Sequence, residues 1–151
     1  MSPNSRRALV LSASVLLGCA TAGGPQSYNP VAERADSMAT LAQIYFWRAK
    51  PGKLEEYTRY IRDHAEPIDA EARRAGAFLS VTTYSAADTT VPWTHMRVFA
   101  LRDSAQLKAL GEALTAAGVR LEPDSVKRRQ QNEYSATLRD RVGAVVVQLV
   151  R

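Results

Sequence analysis

The sequence predicts an α+β domain built on an antiparallel sheet, and three observations predict it. Apolar residues recur with period two in some stretches and at three- and four-residue spacing in others, in the order strand, helix, strand, strand, helix, a weaker helix, strand. The two middle strands follow one another across a single longish loop, Ala86 to Val91, which reads as a hairpin and therefore as antiparallel pairing. The first and last strands are apolar on both faces, so the sheet that holds them needs cover on each side.

Leu41 to Ala49 reads Leu-Ala-Gln-Ile-Tyr-Phe-Trp-Arg-Ala, rich in β-favouring and aromatic residues, and Lys50-Pro51-Gly52 turns the chain after it. From Lys53 the period changes. Leu54, Tyr57, Ile61, His64, Ile68, Ala72 and Ala75 form an amphipathic helical stripe, with a kink or restart expected at Pro67 and a stop at Gly76. Ala77 to Ser85 is the second strand and Pro92 to Leu101 the third, joined across Ala86 to Val91. Asp103-Ser104-Ala105-Gln106 opens a helix striped by Leu107, Leu110 and Leu114, which Gly118 is expected to stop. Glu122-Pro123-Asp124 opens a further, weaker helix through Val126, Tyr134 and Leu138, and Gly143 to Val150 is the last strand.

This order is the split β-α-β pattern of ferredoxin-like domains. With helices on one face of the sheet, the other face stays apolar. Tyr45, Trp47, Trp93 and Phe99 are expected there. The simplest cover for them is a second copy of the same sheet in a two-fold homodimer.

The run Tyr45-Phe46-Trp47-Arg48-Ala49-Lys50-Pro51-Gly52-Lys53-Leu54-Glu55-Glu56-Tyr57, with Pro67, Ala75-Gly76-Ala77 and the strand Val81 to Tyr84, resembles the dimeric α+β barrel superfamily. The resemblance spans Leu41 to about Leu114, with the last strand closing the pattern. It implies a domain related to small monooxygenases acting on quinol-like or haem substrates, stress-response barrels and muconolactone-type isomerases. Some haem-degrading members use an asparagine, a tryptophan and a histidine. Here Trp93 and His95 lie two apart, but the first strand has no asparagine, so the chain departs from that pattern.

The amino terminus carries a different signal. Met1 to Arg7 is positively charged, Ala8 to Leu17 is apolar but short for a membrane span, and small residues follow. Leu16-Leu17-Gly18-Cys19 resembles the lipobox of bacterial lipoproteins, which implies cleavage before Cys19 and acylation of its thiol and new amino group. Ser5-Arg6-Arg7 partly matches a twin-arginine export signal. Residues 1–18 thus read as a lipoprotein signal peptide, 19–38 as a lipidated flexible tether with a reach of roughly 25 Å, and 39–151 as the barrel-like domain. The expected location is the bacterial cell envelope, anchored to membrane lipid through Cys19, with the domain facing the periplasm or exterior. Cys19 is the sole cysteine, so acylation leaves no thiol for a disulfide.

Loss of the leader removes Arg6 and Arg7 and no acid, lowering the formal charge from +5 to +3. Bases and acids alternate elsewhere, and the one tight cluster, Lys127-Arg128-Arg129, reads as a solvated helix face and not as a nucleic-acid footprint. Catalytic serine signatures, phosphate loops and dinucleotide fingerprints are absent from the sequence.

His64 and His95 are the two histidines, the side chains whose ordinary pKa suits proton transfer near neutrality. His64 sits on the apolar stripe and is expected to face the sheet. By the superfamily resemblance, which places a ligand cavity between helices and sheet, His64 is the candidate general base. His95 alternates with Trp93, Arg97 and Phe99 and is expected to point away from His64. With histidines on opposite faces and no free cysteine, neither a metal site nor another cofactor is expected. Tyr57, Tyr84, Trp47, Trp93 and His95 are the candidate contacts for a small lipophilic ligand. Three functions follow as expectations: a ligand-binding or structural lipoprotein, a cofactor-independent monooxygenase or isomerase, and an accessory subunit of an envelope complex.

Overall fold

A computed structural model describes residues 38–150; the expected signal peptide, Cys19 and nearly all of the expected tether lie outside the described residues. The order is β1 (Leu41–Ala49), a long helix α1, β2 (Ser80–Ser85), β3 (His95–Leu101), α2 (Ser104–Leu121), α3 (Ser125–Leu138) and β4 (Arg139–Gln148). α1 runs through α-helical Leu54–Tyr60, π-helical Ile61–Ala65 and α-helical Glu66–Arg74. The four strands form one antiparallel sheet in the order β2-β3-β1-β4. This is the α+β class that the periodicity predicts. Among the described residues, no helix is long and apolar enough to cross a membrane.

Turn chemistry sets the element ends. Gly52 and Gly76 have φ of +73° and +80°, where a Cβ would be strained although neither position is crowded. At Gly76 the amide bonds Arg73 O (2.9 Å) while Ala77 N bonds Ala72 O (3.1 Å), the paired closure of a Schellman motif. Asp103 caps α2 by accepting from the amides of Ala105 and Gln106, both at 2.9 Å. Asp124 caps α3 in the same way. Gly118 does not stop α2, which continues to Leu121 and ends before Pro123.

Pro67 acts one turn earlier than its own position. In a regular α-turn its ring would collide with the carbonyl of Asp63. The chain widens instead, and Glu66 N bonds Ile61 O, five residues back.

The helices lie on one face of the sheet. Phe99 and Leu101 of β3, with Leu41 and Tyr45 of β1, pack on Ala72, Leu110 and Ala117. Nearer the other end of β1, Trp47 joins Tyr57, Ile61 and Leu138. Each fully buried Phe or Leu contributes about 1.5–3 kcal/mol, so these two clusters outweigh the exposed ion pairs.

Tyr45, Trp47 and Phe99 therefore face the helices, contrary to the expectation that they cover the opposite side. Strand alternation identifies residues that share a face; with both faces apolar it does not say which face the helices take. Trp93 does lie on the helix-free side, packed on Phe46 with ring centroids 6.0 Å apart. Ile44, Phe46, Met96 and Val98 line that side, none of them fully buried.

Candidate functional site

The three helices meet over the sheet around a cavity of about 330 Å³. α1 contributes Tyr60, Ala65, Ile68 and Asp69; α2 contributes Leu114, Thr115 and Gly118; α3 contributes Arg128, Gln131 and Asn132; Arg97 and Arg139 come from the sheet. Ile68, Leu114 and Ala65 make its apolar wall. Gly118 opens the space, since a Cβ there would stand 3.8 Å from the Ile68 side chain, in ordinary contact.

Arg97 rises from the middle of β3 to an ion pair with Asp69, and both side chains are largely buried, at 13% and 6% exposed. The guanidinium lies 5.2 Å from the Phe99 ring, and its buried Nε–H has no partner. Burial lowers the Arg97 pKa from its ordinary value, and the nearby charge of Arg139 acts in the same direction.

Arg139, where α3 passes into β4, stacks its guanidinium 3.5 Å over the Trp47 ring and stands 5.4 Å from Tyr57. Its Nε donates to Ser135 Oγ at 3.0 Å. Among the described residues it has no carboxylate partner within ion-pair distance. Arg128 is held by neutral acceptors, donating to the carbonyls of Glu122 and Pro123 at 2.7 Å each.

His95 faces α1, not away from it. Thr58 donates its hydroxyl hydrogen to Leu54 O at 2.8 Å, so His95 Nε2, 3.0 Å from the same oxygen, must carry a hydrogen and donate. Nδ1 is then free to accept from the Thr94 hydroxyl at 3.0 Å, a shorter contact than the 3.3 Å from that hydroxyl to the Trp47 carbonyl. Tyr57 packs edge-on at 4.7 Å. The imidazole is 2% exposed, both its nitrogens are engaged, and burial pushes its pKa down. Burial likewise pushes the Tyr57 phenol up. This is a neutral histidine held in the core, and it forms part of the lining of a second recess with Thr58, Glu66 and Ser85.

His64 is half-buried against Tyr60, ring centroids 5.0 Å apart, and Tyr60 meets Tyr134 edge-on at 6.0 Å. It does not line the helix–sheet cavity. The π turn rotates the stripe, so the inward positions are Tyr57, Ile61, Ala65, Ile68, Asp69 and Ala72, and His64 falls beside them.

The structure thus gathers Tyr57, Trp47 and His95 under α1, next to Arg139. Trp93 and the half-exposed Tyr84 lie on the helix-free side of the sheet. None of these five lines the helix–sheet cavity. Of the charged residues that do, Asp69 and Arg97 have a readable signal, an acid three residues before a buried alanine and an arginine between His95 and Phe99 on one strand face, and Arg139 has none. Charges on two otherwise buried faces mark a pair across them.

No family model matches the chain, and no curated protein does. Among solved structures it is similar to HapK from Hahella chejuensis, at 12% sequence identity and a TM-score of 0.51, over 73% of this chain and 92% of HapK. At that identity the likeness establishes a shared fold, a small α+β domain on a four-stranded antiparallel sheet.

Proposed function

We propose that the protein is a lipid-anchored component of the bacterial cell envelope whose ferredoxin-like domain forms a dimeric α+β barrel and holds a small ligand between its helices and sheet. One observation carries the ligand reading: the cavity of about 330 Å³, with a mixed polar and apolar lining, where three helices converge. It opens on the side of the sheet away from the uncovered apolar face, so pairing through that face leaves it accessible. The strand order β2-β3-β1-β4, with helices on one face, supports the ferredoxin-like assignment. The order of charged, apolar and small residues ending in Leu16-Leu17-Gly18-Cys19 supports the anchor.

Gly118→Leu tests the cavity. The position is helical and uncrowded, so the variant folds while its side chain fills the space. In a thermal-shift screen of small lipophilic compounds, a ligand at tenfold its Kd stabilises by about 1.4 kcal/mol, a rise in Tm of roughly 5 °C or more. Such compounds are expected to shift the wild type and not the variant; equal shifts in both would refute the cavity as the site. For the anchor, mass spectrometry of the membrane fraction is expected to find an acylated amino-terminal Cys19. A free thiol within an intact leader would refute it.

A further inference from the structure

We propose that the helix–sheet cavity selects small organic carboxylates, molecules that carry a planar anionic group on an apolar body; this rests on the reading of the cavity as a ligand site. The argument begins with charge. Arg97, Arg128 and Arg139 line the space and Asp69 is the one acid among the lining residues, so two positive charges stand without a counter-ion. Asp69 pairs with Arg97, and Arg128 is met by neutral carbonyls. Among the described residues Arg139 meets only neutral groups, Ser135 Oγ, the Tyr57 side chain and the face of Trp47.

In a space walled by Ile68 and Leu114, two uncompensated cations set a positive potential that water screens weakly. Geometry narrows the sign to a shape. Stacking on Trp47 fixes the plane of the Arg139 guanidinium, whose edge presents N–H donors as a fork matched to the two oxygens of a carboxylate. The apolar wall receives the remainder of the molecule. Because Arg139 holds no protein carboxylate, the ligand displaces no existing ion pair.

Matched acids and amides test the charge apart from the cavity. Isothermal titration uses the full chain carrying Cys19→Ser, which cannot be acylated at that side chain, with 2-naphthoate against 2-naphthamide and octanoate against octanamide. In at least one pair the acid is expected to bind about tenfold or more tightly than its amide. Arg139→Met keeps the stem on Trp47 and orphans no acid; it is expected to bring that ratio to about one while changing amide affinity less than about twofold. Arg128→Gln lowers the ratio by a smaller factor and serves if Arg139→Met does not fold. Arg129→Gln, an exposed neighbour outside the cavity, leaves it unchanged. Equal binding of acid and amide in both pairs, or a ratio that survives loss of the arginine, overturns the proposal. If the amide is still lost on Gly118→Leu, the cavity reading stands without it. Failure of both pairs to bind, or binding untouched by Gly118→Leu, overturns both.

Discussion

His95 shows at the scale of one residue how the core can commit both nitrogens of a histidine. Its Nε2–H is committed to Thr58 and its Nδ1 to Thr94, and the ring is shut beneath Tyr57. Protonation would place a charge in the core, and burial is why the pKa falls. The consequence for stability follows by linkage. Unfolded, His95 takes up a proton as pH drops through its ordinary value of 6.5, while the folded state resists. Its contribution is therefore complete above pH 6.5 and diminishes as pH falls towards the lowered folded value. In urea denaturation at pH 7.5 and pH 5.5, the wild type is expected to lose more stability on acidification than His95→Leu, which is itself weaker at pH 7.5 by about 1–2 kcal/mol for its lost hydrogen bonds. A difference between the two proteins that does not change with pH would show that His95 does not titrate on unfolding.

α1 shows how an element can be recognised while its inward face is misread. Leu54, Tyr57, Ile61, His64, Ile68, Ala72 and Ala75 satisfy a regular α-helical stripe, and the structure turns Tyr57, Ile61, Ile68 and Ala72 of these inward, with Ala65 and Asp69 joining them and Leu54, His64 and Ala75 left outside. Three successive four-residue steps outrun a turn of 3.6 residues, and the wide turn at Ile61–Ala65 absorbs the excess. Deleting exposed Arg62 is expected to restore a regular helix in which Pro67 then sits badly, at a cost of about 3 kcal/mol; adding Pro67→Ala is expected to recover most of that, read by urea denaturation and circular dichroism. No recovery would mean that the π turn is not held by the proline. The same contrast separates what was legible in the sequence from what was not. β1, the glycine turns and the Asp103 cap depend on local chemistry and were readable. β4 begins at Arg139 and not at Gly143, because backbone pairing with Ala49, Arg48 and Trp47 carries the strand through three charged residues that no apolar pattern marks. The cavity was hidden for a related reason: Arg139 reads as a solvated charge, and Asp69 and Arg97 mark a pair but not the space that only the fold builds beside them.

For the whole molecule, the decisive asymmetry is that three helices cover one face of the sheet and leave the other to Ile44, Phe46, Trp93, Met96 and Val98. An apolar sheet face of this kind on a chain of 151 residues asks for a partner, and a two-fold copy supplies the same surface in return. The proposed dimer would bury its side chains at the middle of each sheet, where β1 and β3 run side by side, and a stable interface of this type covers about 800 Å² per protomer. Phe46 and Val98 lie on adjacent strands of this face, so a charge at each makes every approach of a second copy bring like charges into a desolvated contact. In sedimentation equilibrium the full chain carrying Cys19→Ser is expected to behave as a dimer. Adding Phe46→Lys and Val98→Lys is expected to give a monomer with the same far-ultraviolet circular dichroism. Since the cavity lies across the sheet from the interface, the monomer is expected to bind the ligands of the dimer within a few-fold. A charged variant that remains dimeric would place the interface elsewhere, and a monomer that folds but no longer binds would make the second protomer part of the site.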